Sequence, residues 1–103
     1  MTYETIVTMH ETLKSEYNRI HKQLNAADSA CRAAWHSIDE YRNNNPDAYE
    51  QLSELIEHGG PVRDEILTKG YNRWRELGKI VKRLSVKDKQ LEKALCEFEL
   101  HNW

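Results

Sequence analysis

The sequence predicts an all-α fold. Two long helices form an antiparallel coiled-coil-like hairpin, a short connector helix joins them, and dimerisation completes a helical bundle. Three observations lead there. Apolar residues recur at alternating steps of three and four over two long stretches. Only two prolines and four glycines interrupt 103 residues. Charged residues reach 31% against 39% apolar, which suits long solvated helices rather than a β-sandwich or a disordered tail. A chain of this length forms one domain, residues 1–103.

The first helix is predicted over about residues 3–42. Its seam reads Tyr3, Ile6, His10, Leu13, Tyr17, Ile20, Leu24, Ala27, Cys31, Ala34, Ile38 and Tyr41. Eleven of the twelve are apolar or aromatic, and His10 alone departs. A polar residue in a seam can set the register of its partner helix, as a buried Asn does in a coiled coil. In an antiparallel pairing His10 is expected near Cys96. A helix of that length runs about 60 Å and needs an equally long companion.

Asn43-Asn44-Asn45-Pro46 ends it, with Asn45 as the cap and Pro46 as the first residue of the next helix. That connector spans about 46–57, with Ala48, Tyr49, Leu52, Leu55 and Ile56 on one face. His58-Gly59-Gly60-Pro61 stops it, and Pro61 opens a helix over about 62–100. The second seam reads Leu67, Gly70, Trp74, Leu77, Val81, Leu84, Asp88, Leu91, Leu95 and Phe98. Gly70 and Asp88 are its weak points. A break near Gly70 or Ser85 is the alternative to one near-continuous helix. Two helices alone bury little apolar surface, so a homodimer or a partner is expected to close the open seam.

Several classes are excluded. No apolar run reaches membrane-spanning length. The N-terminal segment carries acids early and has no apolar core, unlike a secretory signal. Two cysteines, neither in a C-x-x-C pair, are too few for a disulfide scaffold. A reduced, cytoplasmic protein is the expectation.

The net charge of −2 hides a polarised chain. Residues 39–68 hold eight acids and two bases, whereas 69–93 hold nine bases and three acids. Seven of those bases, Lys69, Arg75, Lys79, Lys82, Arg83, Lys89 and Lys93, fall at positions facing away from the second seam. A solvated face answering the acidic segment is the plain explanation of such a ridge. As a binding surface it fits an acidic protein patch ahead of nucleic-acid phosphates. Trp35, beside the first seam, and Trp103, at the C-terminus, are the expected exposed aromatic anchors. Packing under the connector is the alternative for Trp35, and a frayed end for Trp103. Trp74 holds a seam position and is expected in the core.

No catalytic constellation is legible. Cys31 sits in the seam as a small hydrophobe, far along the hairpin from Cys96. The pairs His36 with Glu40, Glu54 with His58 and Glu97 with His101 lack the spacing of a bundle metal site and read as surface pairs. Gly59-Gly60 follows a helix rather than a strand, unlike a phosphate loop. The expectation is therefore no enzyme, no cofactor and no metal. The chain reads as a protein–protein interaction module, a small helical inhibitor or adaptor docking on a larger complex. A phage- or mobile-element-encoded blocker of a nucleic-acid machine would have this size and charge pattern. The alternatives are a nucleic-acid-binding helical dimer using the 69–93 ridge, and a structural coiled-coil scaffold.

Overall fold

A computed structural model describes residues 2–103. It contains helix α1 (Tyr3–Asn44), helix α2 (Ala48–His58) and helix α3 (Glu65–Asn102), and among the described residues no strand. Their contacts divide the chain into two units. A three-helix unit comprises Ala27–Ile80. A two-helix unit joins the N-terminal part of α1, as far as Ala26, to Val81–Trp103. In both, α1 and α3 run antiparallel. Cys31 meets Trp74 and Tyr41 meets Asp64 in the first. His10 meets Glu99 and His21 meets Asp88 in the second. This is the predicted hairpin with its connector.

The three-helix unit holds the larger core. Ala48, Leu52 and Leu55, at helical spacing on α2, pack with Ile38 of α1 and with Leu67 and Tyr71 of α3. Trp35, Tyr41, Val62 and Trp74 close around them. Burying one large aliphatic side chain is worth about 1.5–3 kcal/mol, so packing holds α2 helical although eleven residues are marginal as an isolated helix.

The helix ends differ from expectation in two places. Asn45 does not cap α2. Its side-chain amide donates to the Tyr41 carbonyl at 2.9 Å, satisfying the end of α1 instead. Pro46 lies in the turn, and α2 begins at Ala48 behind Asp47, which makes no side-chain cap bond. Pro61 does not open α3 either. The helix starts at Glu65, behind Asp64. The Leu67 N–H donates to Asp64 Oδ1 at 3.1 Å, the bond of an N-cap to the third helical residue.

Asp64 does more than cap. Tyr41 Oη of α1 donates to its Oδ2 at 2.6 Å, and its own N–H donates to Gln51 Oε1 of α2 at 2.8 Å. One residue thereby joins all three helices. The Tyr41 hydroxyl, and after it the Leu67 N–H, hold the Asp64 carboxyl below its ordinary value. The same bond, together with burial, pushes the Tyr41 hydroxyl up.

The turn before α3 uses glycine for geometry. Gly59 caps α2 at φ 80°, donating its N–H to the Leu55 carbonyl at 2.8 Å. Gly60 also has positive φ, and a Cβ there would collide with the Leu55 side chain. Gly70, by contrast, does not break α3, which runs unbroken through both Gly70 and Ser85. A Cβ at Gly70 would lie 3.3 Å from Ile38 Cγ1, so the missing side chain lets α3 approach α1 closely.

In the two-helix unit the seam has a partner on one side only. Leu13, Tyr17, Leu24, Leu84, Leu91, Leu95 and Phe98 are half-buried. Ile20 and Asp88 alone among this unit's described residues are buried. A two-stranded seam cannot enclose its side chains as α2 helps to do elsewhere.

Gly78 has open space where a Cβ would go, so Gly78→Ala should raise stability by about 0.5–1 kcal/mol. Gly70→Ala carries the same propensity gain but presses on Ile38, and thermal melts should show it gaining less than Gly78→Ala. For Asp64, a carboxyl held below its unfolded value contributes stability that is complete above that value and is lost as pH falls through the folded one. Tyr41→Phe should therefore lower the urea midpoint most near neutrality, with the gap to wild type closing in acid. Asp64→Ala should cost about 1 kcal/mol through the lost cap.

Candidate interaction surface

The seven bases of the predicted ridge are all exposed on α3. The structure separates them by surroundings. Lys69, Arg75 and Lys79 belong to the three-helix unit. There Lys79 Nζ pairs with Glu76 at 3.2 Å, and the Arg75 guanidinium lies 6.0 Å from the Tyr71 ring centroid. Lys82, Arg83, Lys89 and Lys93 belong to the two-helix unit. Among the described residues none of these four has a carboxylate within ion-pair distance. Of the two acids in this run, Asp88 is turned into the seam, where it lies 3.0 Å from His21 Nδ1, and Glu92 is exposed between Lys89 and Lys93 without an ion-pair partner within reach among the described residues. The outer face of this stretch therefore keeps a net positive charge, offset in part by Glu92.

The same face carries apolar side chains that the sequence reading passed over. Lys82, Val86, Lys89, Lys93, Cys96 and Leu100 follow the alternating four-three step opposite the seam. Val86 is 53% exposed and Leu100 79%. The signal was present in the sequence as a second stripe at helical spacing, masked by the lysines within it. Bases interleaved with exposed aliphatic groups combine a steering charge with groups that gain from burial at an interface.

The two tryptophan anchors part company. Trp103 is 62% exposed, yet its ring lies 4.7 Å from that of His10 and 6.1 Å from that of Phe98. It is docked rather than frayed. Trp35, expected as an exposed anchor, is instead half-buried against Trp74, with ring centroids 4.8 Å apart. A position beside a two-helix seam becomes core where a third helix packs, and α2 packs there.

The two polar exceptions of the seams are both paired across it. His10 Nε2 lies 2.9 Å from Glu99 Oε1, with Phe98 stacked at 5.9 Å. It faces Glu99 rather than the expected Cys96. Asp88 is 8% exposed and faces His21, which stacks on Tyr17 at 5.4 Å. In one pair the histidine is the seam residue, and in the other the acid is. Both act on the alignment of α1 and α3 in the two-helix unit.

Other chemistry-bearing groups stand apart. Cys31 Sγ lies 3.9 Å from the Trp74 carbonyl oxygen, whereas Cys96 is exposed. No group of three His, Cys, Asp or Glu side chains among the described residues could hold a metal ion. A shallow polar hollow lined by Asn45, Asp47, Gln51, Arg63 and Asp64 overlaps the junction described above, and Gln51 and Asp64 are committed to hydrogen bonds there. No helix of the described residues is long and apolar enough to cross a membrane. Comparison with family models, curated proteins and solved structures finds no match to this chain.

Asp88 offers a direct test of the seam. Replacing a polar seam residue by leucine adds buried apolar surface worth about 1.5–3 kcal/mol. It also removes the group that specifies alignment. Asp88→Leu should raise the melting temperature while broadening or doubling the NMR resonances of the two-helix unit. A less stable variant with a single sharp set of resonances would contradict this role.

Proposed function

We propose that the chain is a non-enzymatic interaction module, an adaptor or inhibitor that docks the outer face of α3 on an acidic protein surface. The observation that carries this reading is the set of four unpaired bases, Lys82, Arg83, Lys89 and Lys93, beside exposed Val86 and Leu100. Basic side chains draw an acidic partner in at long range, and the aliphatic groups retain it on contact. Lys69, Arg75 and Lys79 contribute less, because Lys79 and Arg75 already have neighbours in their own unit. Trp103, held against His10 and Phe98 at the end of the seam, is a pre-ordered exposed aromatic group at the edge of this face, able to anchor a partner that reaches past the end of α3. A cytoplasmic location, in keeping with two free cysteines, and a role against a nucleic-acid machine, suggested by size and charge pattern, belong to the same proposal.

Charge reversal tests it. Lys79, Lys82 and Arg83 changed together to Glu should abolish crosslinking to the protein partner in the cells that carry the chain, with helicity unchanged by circular dichroism. Fluorescence anisotropy with labelled duplex DNA, single-stranded DNA and structured RNA provides the control. Tight binding that falls steeply with salt would replace the protein partner by phosphates. Crosslinking that survives the triple reversal would refute the reading.

A further inference from the structure

We infer that the basic outer face of α3 receives α2 of a second copy of this chain. The outer side of α2 is the electrostatic complement of that face. Glu50, Glu54 and Glu57 are exposed along it, and among the described residues no Lys or Arg pairs with them; Glu57 has the adjacent His58 at 3.7 Å. Beside them Tyr49 is 52% exposed and Ile56 55%. On α3 the matching groups are Lys82, Lys89 and Lys93, with Val86 exposed between them.

The spacings agree as well as the signs. Glu50 and Glu57 are seven residues apart, as are Lys82 and Lys89, which is about 10.5 Å of helix in each case. The eleven residues of α2 cover about 16 Å, the rise from Lys82 to Lys93. One helix laid against the other brings carboxylates to ammonium groups at both ends and leaves Tyr49 and Ile56 along the flank of the contact. This contact uses outer faces and leaves both seams as they are. It holds whether or not the same face also takes another acidic protein, and where it does, the second copy competes for those lysines.

A contact one short helix long is smaller than the interface of a stable complex, about 1,200 Å² and above. The association is therefore weak, concentration-dependent and sensitive to salt. Analytical ultracentrifugation of the full chain, from micromolar to submillimolar, should show the average mass rising with concentration at low salt and returning to that of one chain at high salt. Glu50, Glu54 and Glu57 changed together to Lys should be monomeric. So should Lys82, Lys89 and Lys93 changed together to Glu. An equimolar mixture of these two variants should associate again, because each now supplies the charge that the other lacks. Changing the three glutamates to Gln should weaken self-association about tenfold. All the altered positions are exposed, and circular dichroism checks that each variant retains its helices. A wild-type chain that stays monomeric throughout, association that survives either reversal, or a mixture that stays dissociated would overturn the inference.

Discussion

Asp64 is the point on which the three-helix unit turns. Its carboxylate takes one bond from Tyr41 on α1 and another from the first turn of α3, while its N–H reaches Gln51 on α2. No other residue described above ties all three helices together. Around it the apolar core is small, with Leu55 and Leu67 at its centre. A small core tolerates several helix orientations of similar energy. Directional hydrogen bonds at one end discriminate among them, because a displaced helix would leave a carboxylate or an amide without its partner. The charged form of Asp64 is the one these donors favour, so the junction is strongest where the carboxylate is ionised.

The two-helix unit meets the same shortage of core by another route. With no third helix, its seam leaves most apolar groups half in water, and regular three-four spacing alone does not single out one alignment. The paired His10 and Glu99, and His21 and Asp88, add direction to a surface that otherwise has little. A buried or half-buried polar pair contributes less to stability than apolar groups of similar size would. Its contribution is to specificity, which explains why Asp88 can stand in the middle of a hydrophobic seam.

The fold was legible because heptad spacing is a property of sequence alone. Both long helices, their antiparallel pairing within each unit and the connector could be read from it. The ends were harder to read. Pro61 and Pro46 look like helix starts locally, and only the packing of Asp64 on Tyr41 and Gln51 shows why α3 begins later. Gly70 looks like a stop for the same local reason, and the approach of Ile38 is the nonlocal fact that explains it. The seven bases were legible as an outward face, since charge at those positions is repelled from a seam. Their division by unit was not, because it depends on which carboxylates lie nearby in space. Trp35 reads locally as exposed, and its burial under the connector, the alternative reading, depends on α2 packing beside the seam.

The placement of the three tryptophans has an optical consequence. Trp35 and Trp74 lie with ring centroids 4.8 Å apart inside the three-helix unit, near enough for their excited states to couple. Trp103 stands against the imidazole of His10 in the two-helix unit, within reach of quenching by that ring. The intrinsic emission thus comes from two spectroscopically distinct sources, each confined to one unit. Loosening of the three-helix unit would alter the coupled pair, and release of the C-terminus would free the single indole from His10, so intrinsic fluorescence can follow the two units without any added dye.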